Sequence, residues 1–211
     1  MSDLDIRILG TLLEKERTTP ENYPLSINTL VLACNQKTNR APMSDYAQRD
    51  VEGALQGLRD RGLVSSEQGM TERVVKHQHR LGEAFRLSAQ DFAVLAVLML
   101  RGPQTAGELR GRTERYIHFS DVAAVDASLI RLRDHRPPLA RDEGRSPGQS
   151  QTRWAHLLGT DPERQKPRAR PAPAPTDAPD TPQELRAELE VLKRQLARLY
   201  EHLGLDGDAA L

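Results

Sequence analysis

Apolar positions recur at helical spacing in three successive segments near the start of the chain. Ile6, Leu9, Leu12 and Leu13 mark a first helix ending near Glu16. Ile27, Leu30, Val31 and Cys34 fall at i, i+3, i+4 and i+7, one stripe of a second helix, and Val51, Ala54, Leu55 and Leu58 form the stripe of a third. The same order then returns. An unbroken apolar run from Phe92 to Leu100 stops at Arg101-Gly102-Pro103, a shorter helix over 106–112 follows Thr105, and Val122, Val125, Leu129 and Leu132 stripe another.

Both third helices end in a similar phrase, Leu58-Arg59-Asp60-Arg61-Gly62-Leu63 and Leu132-Arg133-Asp134-His135-Arg136-Pro137. After each come two strand-like pieces joined by a polar turn containing glycine: 63–66 and 73–81 around Gly69, then 139–142 and 152–158 around Gly144 and Gly148. Three helices and a hairpin, twice over, is the winged-helix plan. The expected fold is therefore mainly α with small β-hairpins (α+β), with winged-helix domains at 1–87 and 88–160.

Helix starts are marked chemically as well. Ser2 precedes Asp5, Ser88 precedes Asp91 and Thr181 precedes Glu184, each three positions on, with Pro182 at the first helical position. In this arrangement the hydroxyl accepts an orphan amide and the later carboxylate reaches back to the cap.

The remainder is different in kind. Seven of the 14 prolines lie between Pro162 and Pro182, so 161–182 reads as a Pro-rich linker. Beyond it Leu185, Leu189, Leu192, Leu196, Leu199 and Leu203 alternate steps of four and three, a heptad seam on a helix over 183–204, followed by a disordered end at 205–211. An isolated helix of about 20 residues is marginal in water, so the seam predicts a C-terminal coiled coil and a homodimer. The strand number is left open by leucine at every seam position.

Composition narrows the function. Thirty Lys and Arg balance 30 Asp and Glu, which removes the simplest argument for nucleic acid, a strongly basic chain. Charge is nonetheless uneven: residues 88–160 hold ten arginines against eight carboxylates. The one cysteine excludes an internal disulfide and any cysteine-rich zinc site. The longest apolar run has nine residues, far short of a membrane span. The acidic start Ser2-Asp3-Leu4-Asp5 is unlike a signal peptide, so a soluble, cytoplasmic protein is expected.

Little points to catalysis. No GxSxG, P-loop, HExxH or strand-linked GxGxxG occurs. His77 and His79 share a strand face with Val75 and Leu81, which reads as the packed side of the hairpin, and without a nearby carboxylate or thiol they make a poor zinc set. Cys34 sits on the apolar stripe of the second helix and reads as a small hydrophobe. No cofactor, metal site or catalytic residue is expected, and the protein reads as no enzyme.

The richest polar run, Asn35-Gln36-Lys37-Thr38-Asn39-Arg40, carries the side chains that read base edges and phosphates, although a helix end and loop use the same residues. The expected nucleic-acid contacts are Asn35, Gln36, Lys37, Asn39 and Arg40 from this run, and Lys76 and Arg80 on the outer face of the first hairpin. Arg110, Arg112 and Arg115 at the second module's second helix and Arg131 on its third complete the set. The first module's third helix shows Arg49, Glu52, Gly53, Gln56 and Asp60 outward, a poor match to phosphates, and the second's shows Ala123 and Ala127, which suit DNA or another helix equally.

Glu14-Lys15-Glu16, Thr18-Thr19-Pro20-Glu21-Asn22-Tyr23-Pro24-Leu25-Ser26, Ala33-Cys34-Asn35-Gln36-Lys37-Thr38-Asn39-Arg40, Leu100-Arg101-Gly102-Pro103-Gln104-Thr105, Gly107-Glu108-Leu109-Arg110 and Phe119-Ser120-Asp121-Val122 resemble the YceH-like family of bacterial proteins. The likeness spans nearly the whole chain and departs at 43–48 and 81–84. It implies a tandem winged-helix body with a C-terminal helix that dimerises, and it brings no activity, metal or catalytic residue. Two functions follow as expectations: a dimeric, regulatory protein binding double-stranded DNA, or an adaptor that docks another protein.

Overall fold

A computed structural model of the chain describes residues 1–68, 74–145 and 151–159. The predicted linker, leucine seam and C-terminal end, the Thr181 helix start, and the turns around Gly69 and Gly148 lie outside the described residues.

Helix α1 (Asp3–Thr18) opens on a capping box. The Asp5 amide donates to Ser2 Oγ at 3.1 Å and the Ser2 amide donates to Asp5 Oδ2 at 2.9 Å. The helix continues one half-turn past the predicted end at Glu16. A 3-10 turn (Pro20–Asn22) then leads into β1 (Leu25–Ser26), α2 (Ile27–Cys34) and α3 (Gln48–Asp60). Strands β2 (Val64–Glu67) and β3 (Lys76–His79) follow, and α4 (Leu81–Phe85) leads to the second half.

That half repeats the plan with α5 (Ala89–Arg101), α6 (Ala106–Thr113), α7 (Val122–Asp134), β4 (Ala140–Asp142) and β5 (Trp154–His156). The molecule is thus a mixed α/β protein with seven α-helices and small antiparallel sheets among its described residues.

The first sheet has three strands where the sequence predicts two. β3 lies between β1 and β2, with Leu25 opposite His77 and Val64 opposite His79. Two residues are too few to show a period-2 pattern, so β1 leaves no sequence signal. The second half has the same edge in reduced form. The Gln104 amide donates to the Trp154 carbonyl at 3.0 Å and the Trp154 amide donates back at 2.7 Å, beside the β4–β5 pair. In both halves a hydroxyl at the end of this edge caps the second helix, Ser26 within β1 and Thr105 just after Gln104: the Thr29 amide donates to Ser26 Oγ, and the Glu108 amide to Thr105 Oγ1.

The two first helices form the centre. Every residue of 5–14 in α1 and 91–100 in α5 is buried. The helices meet where Gly10 lies against Met99 and Leu100. A helix apolar on all sides needs neighbours on all sides. α2 and α3 pack on α1, and α6 and α7 pack on α5.

The Ser88 start is corrected in part. Ser88 Oγ accepts the Asp91 amide at 3.1 Å, but the Asp91 carboxylate turns to Arg131 on α7, with Oδ1 accepting at 2.7 Å. The fixed guanidinium fork outcompetes a single cap amide for a buried carboxylate. Val75, expected on the packed side of its strand, precedes β3 and is exposed.

Candidate nucleic-acid interface

One side of α1 is polar although it is buried. Arg7, Thr11 and Glu14 lie on one stripe, holding the end of α2 and the loop that follows it. Arg7 donates to the Pro42 carbonyl at 2.7 Å, Thr11 accepts from Cys34 Sγ, and Glu14 pairs with Arg40.

Glu14 is the hub. Its carboxylate takes two bonds from Arg40, at 3.1 and 2.5 Å, one from Arg115 Nη2 at 2.6 Å and one from the Tyr116 hydroxyl at 3.2 Å. The Arg40 guanidinium also donates to the Ala33 and Asn39 carbonyls. Residues predicted separately in the two halves, 35–40 and 112–115, therefore meet on one carboxylate. The Ala41 amide also donates to the Leu100 carbonyl at 2.9 Å, and Arg101 is bonded to Asn39 Oδ1.

Positive charge gathers above this hub. Burial first, then the fields of Arg112 and Arg115, hold the Arg101 guanidinium below its ordinary pKa. Arg115 also lies 5.3 Å over the Tyr116 ring. Burial and then the Glu14 charge push the Tyr116 phenol well above its usual range. Lys37 is exposed in the turn that contains Asn39. Arg40, Arg101, Arg112 and Arg115 thus gather about two carboxylates, Glu14 and Glu108, the latter shared with Arg112 and Arg153.

The other predicted contacts are placed as follows. Arg40 is wholly enclosed, with 0% of its side chain exposed, and has no surface to offer a phosphate. Asn35 clamps the backbone of Tyr46, donating to its carbonyl at 2.9 Å and accepting its amide at 2.8 Å. Gln36 donates to Thr38. Arg110 donates to the Phe119 and Ser120 carbonyls and so fixes the loop entering α7. Arg131 is bound to Asp91 and Arg80 to Glu83. Lys76 stands on the half-exposed middle strand, apart from the hub.

Three members of the cluster, Glu14, Arg101 and Tyr116, were not among the predicted contacts. The signal available was the i, i+4, i+7 spacing of Arg7, Thr11 and Glu14, a polar stripe on a helix otherwise rich in leucine.

The histidines are structural. His77 is buried, with Nδ1 2.8 Å from Ser66 Oγ on the partner strand, and burial followed by the Arg59 charge holds its pKa low. His79 does have a carboxylate companion, contrary to expectation: Glu16 Oε2 lies 3.3 Å from Nε2. Glu16 is distant in sequence and reaches His79 only because β3 packs on α1. Among the described residues no group of three or more His, Cys, Asp or Glu could hold a metal. Cys34 is buried, and that burial pushes its thiol up to about 11, opposite to what a nucleophile needs. No described helix is long and apolar enough to cross a membrane.

Fold and cluster together define a class, an α/β protein built on a repeated three-helix-and-hairpin plan with a charged hub between the repeats. Residues 1–149 match the family model described as "Protein of unknown function, DUF480". A UPF0502 protein of Geotalea uraniireducens is 47% identical over 196 residues, covering 92% of this chain and 86% of that one. One from Shewanella sp. MR-4 is 39% identical over 209 residues, covering 94% of each, and one from Geobacter sulfurreducens is 45% identical over 163, covering 77% and 74%. The chain belongs to the DUF480/UPF0502 family.

Proposed function

We propose that this is a non-enzymatic, regulatory DNA-binding protein made of two tandem winged-helix modules and paired through its leucine seam. The observation that carries the reading is the gathering of Arg101, Arg112 and Arg115 about the enclosed carboxylate of Glu14. A cluster of cations whose counter-charges are fewer and partly buried attracts a polyanion, and phosphate contacts supply most of non-specific DNA affinity. Two further features support it. α3 and α7, third in each repeat, keep an outer face uncovered, and on α7 that face is Ala123, Ala127 and the rim of Arg131. A dimer would present such faces in two-fold-related pairs, as a palindromic site requires.

The test is fluorescence anisotropy of the full chain with a mixed-sequence duplex between about 50 and 200 mM salt. Binding that weakens linearly on logarithmic axes supports the reading. No binding at the low end refutes it.

A second reading, a protein-docking adaptor, is favoured by one observation. Leu32 on α2 is 75% exposed and Ile130 on α7 is 44% exposed, large apolar side chains on helix surfaces. Recovery of one stoichiometric protein in a pull-down, unchanged by nuclease, selects that reading.

A further inference from the structure

The run from Thr18 to Ser26, part of the family likeness, builds most of the wall of a pocket of about 390 Å³, within the size range of small-molecule sites. Lys15 of α1, Thr29 of α2 and Lys76 of β3 complete the wall. The connection from α1 to α2 occupies residues 19–26, twice the length of its counterpart at 102–105 between α5 and α6. The second repeat makes the same turn without the extra length, and in the first that length goes into the pocket wall.

The second repeat shows what such a place holds. There Gln104 lies opposite Trp154, as Leu25 lies opposite His77 in the first. One step along that register, Arg153 is the counterpart of Lys76. Glu108, third in α6, is likewise the counterpart of Thr29, third in α2. The Glu108 carboxylate is gripped from both sides, Oε2 accepting the Thr105 amide at 2.9 Å and Arg153 Nη2 at 3.0 Å. The first repeat keeps the capping hydroxyl, Ser26, and the strand cation, Lys76, but presents a neutral threonine at position 29, beside the pocket. We infer that this pocket binds a small organic carboxylate, whose anionic group takes the place that the Glu108 carboxylate takes in the second repeat.

The lining sets the rest of the ligand. Tyr23 and Pro24 offer it an apolar surface, and the Tyr23 ring is held in place by its hydroxyl, which accepts the His79 amide at 2.9 Å. Lys15 adds a second cation. Glu21, whose carboxylate accepts from Asn22 Nδ2 at 3.0 Å, adds one negative charge to the same lining. Two lysines against one carboxylate suit a ligand with a single negative charge and an apolar body.

This inference stands apart from the DNA reading and is tested without DNA. Isotope-labelled full chain is titrated at neutral pH with benzoate, and separately with its neutral counterpart benzamide. Both are taken to about 10 mM, since ligands this small bind with Kd of about a millimolar. Benzoate should shift the amide signals of Thr19, Tyr23, Ser26, Thr29 and Lys76 saturably, and benzamide should leave them in place. Thr29→Glu supplies the carboxylate that Glu108 supplies in the second repeat and completes a capping box with Ser26. It should abolish benzoate binding while thermal unfolding is undiminished. Lys76→Gln should weaken binding about tenfold. The inference is overturned by no saturable shift at those amides, by equal shifts with benzamide, by shifts confined to Arg101, Arg112 and Arg115, or by benzoate binding retained in Thr29→Glu. The wild-type titrations decide it even if neither variant folds.

Discussion

Arg40 and Glu14, 26 positions apart, form a two-bond ion pair with neither side chain exposed to solvent. Such a pair adds little net stability over apolar residues, but removing one partner strands the other without water or counter-charge. Glu14→Gln should cost about 3–5 kcal/mol, because Arg40 and Arg115 both lose their carboxylate. Arg40→Met should cost a similar amount. The double variant Glu14→Gln/Arg40→Met should lose less than the sum of the two single substitutions. Urea denaturation of the four proteins measures this, and strictly additive losses would contradict the pairing.

Gly10 lies in the contact between α1 and α5, where a Cβ would stand 3.1 Å from Met99 Cβ and from Leu100 Cγ. Alanine would add up to about 1 kcal/mol of helix propensity, but both opposing atoms are near their own backbones and yield little. Overpacking costs about 1–3 kcal/mol. Gly10→Ala should therefore be mildly destabilising and Gly10→Leu severely so, as read by thermal unfolding. A stabilised Gly10→Leu would mean that the two helices do not meet there.

Asp91 predicts an acid limit. Burial would raise its pKa, but the bonds from Arg131, Ser88 and Ser128 outweigh burial and hold it low. A carboxylate held low in the folded chain contributes above its unfolded value, near 4, and loses that contribution as pH falls through the lower folded value. Wild type should lose stability below pH 4 more steeply than Asp91→Asn, which should already be weakened at pH 7. Parallel stability profiles for the two proteins would contradict this.

Cys34 should resist thiol reagents in the native state. It is enclosed beside Thr11, with its thiol pushed up to about 11. Modification by a disulfide reagent at pH 8 should track unfolding and become fast in denaturant. Rapid stoichiometric labelling of native protein would place Cys34 at the surface.

Much of the fold is legible in local sequence. Helical stripes and the caps at Ser2, Ser88 and Thr105 depend on residues three or four apart, and these local signals place all the long helices of the two repeats. The two-residue β1 and the five-residue α4 are too short for periodicity to register, and both are fixed by tertiary partners. The candidate site was legible only in part. Arg40 reads as a surface cation at the end of a polar run, yet Glu14, 26 positions earlier, draws it inside. Arg131 reads as an outward cation until Asp91, 40 positions away, claims it. Residue type announces charge, and only the fold announces which charges are already paired.

The account turns on the cations of the Asn35–Arg40 run and of the Glu14 cluster that stay at the surface. The measurement that reaches them most directly is the salt dependence of DNA binding for the wild type and for Lys37→Gln/Arg112→Gln, two substitutions that leave the Glu14–Arg40–Arg115 pairing in place. Each phosphate contact contributes about one unit of slope on logarithmic axes, so the double variant should bind more weakly with a slope about two units shallower. A wild-type chain that ignores duplex DNA at low salt, or a variant with an unchanged slope, would contradict the account.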